Sequence, residues 1–314
     1  MNLGDALDKL TVSQSTVDAY YQQEEYSHAE FKIKSADSFT DLVLHYYNHE
    51  INSGKSLGFS KTEDKFRIRP AELTVLTGIS GHGKSMWLSQ VILNILKDTK
   101  VLLASLEMRP VLSISRMIQQ TLGSPEPTDD YIKKFCGRAA DKLYIYDQTG
   151  VTTSDDMIAT LYYSKYVLGI NVAIIDSLMK MSDISEESME KQKLFVDRLA
   201  VTCRDLEIHV FLVAHSKKPS TTEEDVPDAT QILGSSHIRN LCDNIICVHR
   251  SKRKERLIDE GKTAEEELRK IPDAVVTVQK QRNFTFEGSF AFWFDPKGLR
   301  YRESPSEVRN YRMV

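Results

Sequence analysis

The run Gly78-Ile79-Ser80-Gly81-His82-Gly83-Lys84-Ser85 constrains this chain more than any other stretch. It has the spacing G-x-x-x-x-G-K-[ST], and its surroundings suit it. Leu73–Thr77 before it is a short apolar run that predicts a strand, and Met86–Leu96 after it predicts a helix. A glycine-rich turn between strand and helix points several backbone N–H groups at one spot, and the helix N-terminus adds its positive end. Such a turn cradles phosphate. Gly78, Ser80, Gly81, His82, Gly83, Lys84, Ser85 and Met86 are the residues expected around it. Lys84 would reach the β- and γ-phosphates of a nucleotide, and the Ser85 hydroxyl would hold Mg²⁺.

The chain has 314 residues, room for one large α/β domain with a small appendage. Hydrophobic residues make up 41% and charged residues 27%, the balance of an ordinary water-soluble protein. No window approaches the roughly 18 apolar residues of a membrane span. The opening MNLGDALDKLTVSQ lacks the features of a signal peptide or a mitochondrial presequence. Four cysteines, with no C-x-x-C pair, suggest reduced thiols in a cytoplasmic protein rather than a zinc site. The net charge of −4 neither demands nor excludes nucleic acid, although a protein that coats duplex is usually more basic.

Residues 1–35 are polar and read as an arm or linker. Residues 36–54 carry Phe39, Leu42, Val43, Tyr46 and Ile51 at near-helical spacing, and predict a linker helix. Residues 55–70 read as loop and turn inside a domain spanning 55–314. From residue 71 the pattern becomes βαβ. Strands are predicted at 73–77, 101–105, 143–146, 172–176, 209–214, 244–248, 274–280 and 290–294. Helices are predicted at about 84–97, 110–122, 129–138, 154–167 and 188–205. Runs such as Val172–Ile175 are continuously apolar, as in parallel strands covered on both faces. The expected fold class is therefore α/β, an open, doubly wound, mostly parallel twisted sheet flanked by helices. Residues 251–272, dense in both charge signs, are either a solvated helical excursion or a mobile insertion.

Several strands end in groups suited to phosphate chemistry. Asp176 closes the run Ala173-Ile174-Ile175-Asp176, where a carboxylate can hold Mg²⁺ opposite Ser85. The alternative is an acid that caps the next turn. Glu107 lies just beyond the strand at Leu102–Ser105, and either deprotonates an attacking water or sits on the surface before Pro110. His215 ends Val210–Ala214, and either senses the γ-phosphate or is a satisfied histidine. Lys217 and Lys218 come next, as contacts to a nucleic-acid backbone or as a solvated loop. Lys280 and Arg282 leave the strand near 274–280. They either enter a neighbouring subunit's nucleotide site or face solvent on an edge strand.

The order of these pieces resembles the RecA-type motor domain of ring-shaped replicative helicases. The group takes in the bacterial DnaB-like helicases, the helicase half of T-odd phage primase-helicases and the Twinkle type. The sequence of motifs is the phosphate loop, SLEM with Glu107, IIDS with Asp176, the strand ending in His215, Gly234-Ser235-Ser236, and Lys280-x-Arg282. The resemblance covers about residues 37–302. It implies a RecA-like P-loop NTPase core that uses ATP or dTTP with Mg²⁺, moves along single-stranded DNA and unwinds duplex. It further implies Glu107 as activator of the hydrolytic water, Asp176 beside Mg²⁺, His215 as phosphate sensor, and Lys280 and Arg282 acting on the neighbour's nucleotide. Lys217, Lys218, Gly234, Ser235, Ser236 and Arg239 match loops that line the central channel and meet the strand. Residues 36–54 match the helix that packs on the adjacent subunit of a homo-oligomer, a hexameric ring in this group. The chain departs from the pattern in carrying His82 where small residues are common. It also has no primase, zinc module or full N-terminal domain within these residues, so a separate primase or helicase loader is the expected partner. The setting it implies is cytoplasmic, in a bacterial host if the protein is phage-encoded. A RecA-like recombinase, or a regulatory or loading ATPase that acts on a partner protein, is the alternative.

Overall fold

The apolar runs form strands because each alternate residue finds a different covered face. In β2 (Val101–Ser105), Val101 and Leu103 join one buried cluster while Leu102 and Ala104 join another. A computed structural model of the chain describes residues 33–50, 54–148, 150–184, 189–216, 236–261 and 263–307. Two compact units divide at residue 53. The first contains a 3₁₀ turn at Ala36–Phe39, the helix α1 (Thr40–His45) and a π-helical turn at Tyr46–Glu50. Its apolar side chains Phe39, Leu42, Val43 and Tyr46 are exposed.

The second unit is built on a nine-stranded sheet in the order β3-β2-β4-β5-β1-β6-β7-β8-β9. Its further strands are β1 (Leu73–Thr77), β3 (Leu143–Ile145), β4 (Val172–Asp176), β5 (His209–Val213), β6 (Asn244–Arg250), β7 (Ala274–Gln281), β8 (Gly288–Asp295) and β9 (Arg300–Arg302). From β3 through β6 every pairing is parallel. β7, β8 and β9 extend the sheet antiparallel.

On one face lie α2 (Lys84–Ile95), α3 (Pro110–Leu122) and α4 (Asp129–Ala139), which bury Trp87, Met117 and Phe135. On the other lie α5 (Ser154–Tyr163), α6 (Met189–Asp205) and α7 (Ser236–Leu241), which bury Met157, Phe195 and Ile238. Local signals bound these helices. Pro110 opens α3 and Gly123 closes it in the left-handed region, while the Thr128 and Thr153 hydroxyls cap α4 and α5.

Residues 55–70 are less loop-like than the sequence suggests. Leu57, Phe59, Phe66 and Ile68 are buried, with Phe59 stacked 6.2 Å from Trp87. Residues 252–260 and 265–270 form the short helices α8 (Lys252–Glu260) and α9 (Glu265–Lys270). Among the described residues no helix is long and apolar enough to cross a membrane.

Candidate active site

β1 ends at Thr77 and α2 starts at Lys84, so the intervening turn must reverse direction tightly. Gly78, Gly81 and Gly83 hold φ angles of 144°, 81° and 87°, which L side chains rarely adopt. Gly78 and Gly83 also have no space for a side chain. A Cβ on Gly78 would lie 2.2 Å from the Val248 carbonyl oxygen, and one on Gly83 would lie 2.1 Å from the Tyr301 hydroxyl.

The parallel order of β1, β5, β4 and β2 gathers the residues just beyond those strands at one edge of the sheet. Lys84 is buried and donates to the carbonyls of Gly78 (2.7 Å) and Ile79 (3.1 Å) and to Nδ1 of His215 (3.2 Å). Burial lowers the lysine's pKa, while the charges of Asp176 and Glu107 favour its cation. His215 Nε2 lies 3.4 Å from Glu107 Oε1. An ammonium can only donate, so Nδ1 is the accepting nitrogen and Nε2 carries the proton toward Glu107. The same Glu107 oxygen accepts from the Ser177 hydroxyl at 2.7 Å. The hydrogen bond with His215, supported by that with Ser177, brings the Glu107 pKa down to about 2 against partial burial. Glu107 is thus a carboxylate at neutral pH.

Asp176 closes β4 with only 5% of its surface exposed and is hydrogen-bonded to Ser85. Burial raises its pKa, and the nearby Glu107 charge adds to the rise. A buried carboxylate paired with a serine hydroxyl supplies the hard oxygen donors that Mg²⁺ takes, so these residues fit such an ion. Behind them a pocket of about 20 Å³, room for one water, is lined by Ser105, Ser113 and Arg116. The Ser105 and Ser113 hydroxyls are buried without a hydrogen-bond partner among the described residues. Sequence reasoning missed Arg116, whose charge acts on Asp176 across this pocket. It also missed Ser177, although its place directly after Asp176 was a usable signal. On the other side of the loop a cavity of about 380 Å³ is lined by His82, Gly83, Met86, Arg250, Lys254, Phe294 and Tyr301, among others. Its size suits a nucleobase and sugar.

Lys280 and Arg282 lie apart from this cluster. The Lys280 ammonium donates to the carbonyls of Arg239 and Cys242, both at 2.6 Å. Arg282 pairs with Asp243 at 3.2 Å and donates to the Asn240 carbonyl at 3.3 Å. The other Asp243 oxygen accepts from the backbone N–H of Leu73, where β1 begins, whereas the phosphate loop lies past its end. Arg239 is half-buried in α7, and Ser236 starts that helix. Lys217, Lys218, Gly234 and Ser235 lie outside the described residues.

A family model described as an AAA domain matches residues 65–221. Over 244 residues the chain is 23% identical to the Twinkle homolog protein, chloroplastic/mitochondrial, of Arabidopsis thaliana, covering 69% of this chain and 34% of that protein. It is 24% identical to the DNA helicase/primase of Enterobacteria phage T3 over 208 residues, 59% of this chain and 36% of that one. The chain therefore spans about a third of the length of these curated relatives. Among solved structures, one described as an ATPase domain superposes with a TM-score of 0.70 at 16% identity, covering 86% of this chain and 98% of that one. A DnaB-like replicative helicase, solved with reference to its interactions with primase, gives 0.69 at 15% identity, covering 94% and 75%. At such identities the two structures establish a shared fold, a mostly parallel P-loop NTPase sheet flanked by helices. The family match takes in the phosphate loop, Glu107, Asp176 and His215 and covers half of the 314 residues: the chain belongs to the AAA domain family.

Proposed function

We propose that this chain is the motor of a replicative-type DNA helicase, a nucleoside triphosphatase that moves along single-stranded DNA and separates the duplex ahead. The observation that carries it is the line of contacts from Lys84 through His215 to Glu107. One imidazole touches both the lysine of the phosphate loop and an ionised carboxylate, the placement a γ-phosphate sensor needs. The likeness in sequence to a Twinkle homolog and to a phage DNA helicase/primase supports DNA as the track.

In this proposal the loop residues Gly78, Ser80, Gly81, His82, Gly83 and Met86 surround the phosphates of ATP or dTTP, and Lys84 neutralises the β- and γ-phosphates. Ser85 and Asp176 hold Mg²⁺, which would offset charge on the transferring phosphoryl group. Glu107 orients the attacking water and takes its proton. His215 reports the γ-phosphate to the segment that begins at Lys217. Lys280 and Arg282 act on the nucleotide of the next protomer in a hexameric ring. Lys217, Lys218, Gly234, Ser235, Ser236 and Arg239 meet the phosphodiester backbone, which makes binding salt-dependent and largely indifferent to sequence. Residues 36–54 link neighbours, and a separate primase or loader completes the replication machinery in the cytoplasm of the host.

The test is the nucleotide hydrolysis rate with and without single-stranded DNA, alongside the particle mass with Mg²⁺ and a non-hydrolysable nucleotide. Strong stimulation by DNA with a ring-sized mass is expected. Steady turnover that ignores single strands would move the assignment to an ATPase that acts on a partner protein.

A further inference from the structure

β6 is longer than β1, its parallel neighbour. Thr77, the last residue of β1, pairs with Cys247, and β6 continues through Arg250. On the β7 side this overhang is paired, Val248 with Val276 through Arg250 with Ala274. On the β1 side the phosphate loop takes the place of a strand. Gly78 lies on the Val248 carbonyl with no room for a Cβ, and His82 Nδ1 accepts from the backbone N–H of Arg250 at 3.1 Å. His82 is 4% exposed and its ring sits 5.1 Å from the ring of His249, so it is held in place. Burial and the neighbouring positive groups bring its pKa down to about 4, which leaves a neutral ring able to accept through Nδ1.

We infer that His82 is a positioning residue that ties the phosphate loop to the base side of the nucleotide site through the bond from Arg250 N–H to its Nδ1. Arg250 opens the wall of the 380 Å³ cavity, and Ser251 caps the helix α8 that continues that wall. A nucleoside triphosphate spans both parts, with its phosphates in the loop and its base in the cavity. The tie fixes the distance between them before the ligand arrives, so less ordering is left to be done on binding. The hydrogen bonds that define the Glu107 and His215 cluster run through Lys84 and Ser177 and not through His82, so its effect falls on affinity rather than on the chemical step. This inference rests on the assignment of the loop and cavity to a nucleotide.

The test compares KM and kcat for ATP in the full chain with His82→Ala, His82→Asn and His82→Gln, together with inhibition by inorganic tripolyphosphate. An asparagine carbonyl stands where Nδ1 stands, whereas a glutamine, closer to histidine in volume, carries its carbonyl where Nε2 stands. In His82→Ala the KM should rise about tenfold, the effect of one hydrogen bond of this kind, with kcat changed less than about threefold. His82→Asn should recover most of the loss and His82→Gln should not. Tripolyphosphate has no base and meets the loop through backbone N–H groups, which a side-chain substitution at His82 leaves in place, so its inhibition constant should move far less than the KM for ATP. Equal rescue by asparagine and glutamine would overturn the inference, as would a fall in kcat at constant KM or equal weakening of ATP and tripolyphosphate. An unsubstituted chain that binds no nucleotide would overturn the underlying assignment itself, and is recognised before any variant is compared.

Discussion

Glu107 is the residue on which the proposed chemistry turns, and its surroundings set its charge. Two donors, His215 and Ser177, converge on the same oxygen. Glu107→Gln should keep the shape and lose the base. We expect nucleotide binding to persist while turnover falls about 10²- to 10⁴-fold, measured by titration with a fluorescent nucleotide beside steady-state hydrolysis. Removing only a donor is a finer perturbation. In Ser177→Ala the Glu107 pKa should rise from about 2, because a bond that favours the carboxylate is gone. Protonation then begins at a higher pH, and the carboxyl resonance of the labelled Glu107 side chain, followed by NMR against pH, should titrate at a higher pH than in the unsubstituted chain. A resonance that titrates as before would show that His215 alone holds the carboxylate. Asp176 and Glu107 could be singled out in the sequence because Asp176 closes an apolar run and Glu107 lies just beyond another. Arg116 was not. It sits within α3 with no motif around it, and only helix packing brings it beside Asp176.

At the scale of elements, the parallel strands were legible because each is built on a short apolar run, and α3, α4 and α5 because proline, threonine and glycine mark their ends. Residues 55–70 and β9 were not. Residues 55–70 have no regular period, yet four of their apolar side chains enter the core by way of turns. β9 reads Arg300-Tyr301-Arg302, too short and too charged to stand out as a strand. Its place comes from a distant helix. Gln90 in α2 donates to the Tyr301 carbonyl at 2.8 Å and accepts from the Tyr301 N–H at 2.7 Å, as though it were another strand. The Gln90 side chain is fully buried. Gln90→Ala therefore leaves two buried backbone groups without this partner. The expected cost is about 2–5 kcal/mol, read as a lower denaturant midpoint with an unchanged slope. Because Tyr301 packs under Gly83, the same variant should also weaken nucleotide binding.

For the molecule as a whole, stability and activity depend on groups far apart in sequence. His82 and His209 are buried, and burial brings both pKa values down to about 4. An unfolded histidine titrates near 6.5, so the unfolded chain binds more protons below that value. The stability these rings contribute is complete above about pH 6.5 and is lost as the pH falls toward 4, which denaturant titrations across that window will register. The proposed ring makes a sharper demand. Arg282 lies by the start of β1, and the loop it is proposed to serve lies past the end of that strand, so this arrangement does not bring the two to one site within a protomer. Arg282→Ala and Lys84→Ala should each abolish most turnover alone. Mixed before assembly in equal amounts, they should regain activity. An interface between an Arg282→Ala protomer, which keeps its lysine, and a Lys84→Ala neighbour, which keeps its arginine, is complete. Random head-to-tail assembly makes up to about a quarter of all interfaces of this kind. A mixture no more active than its parts, in rings shown by mass to contain both, would place Arg282 in the service of its own protomer and remove the reason for a closed ring.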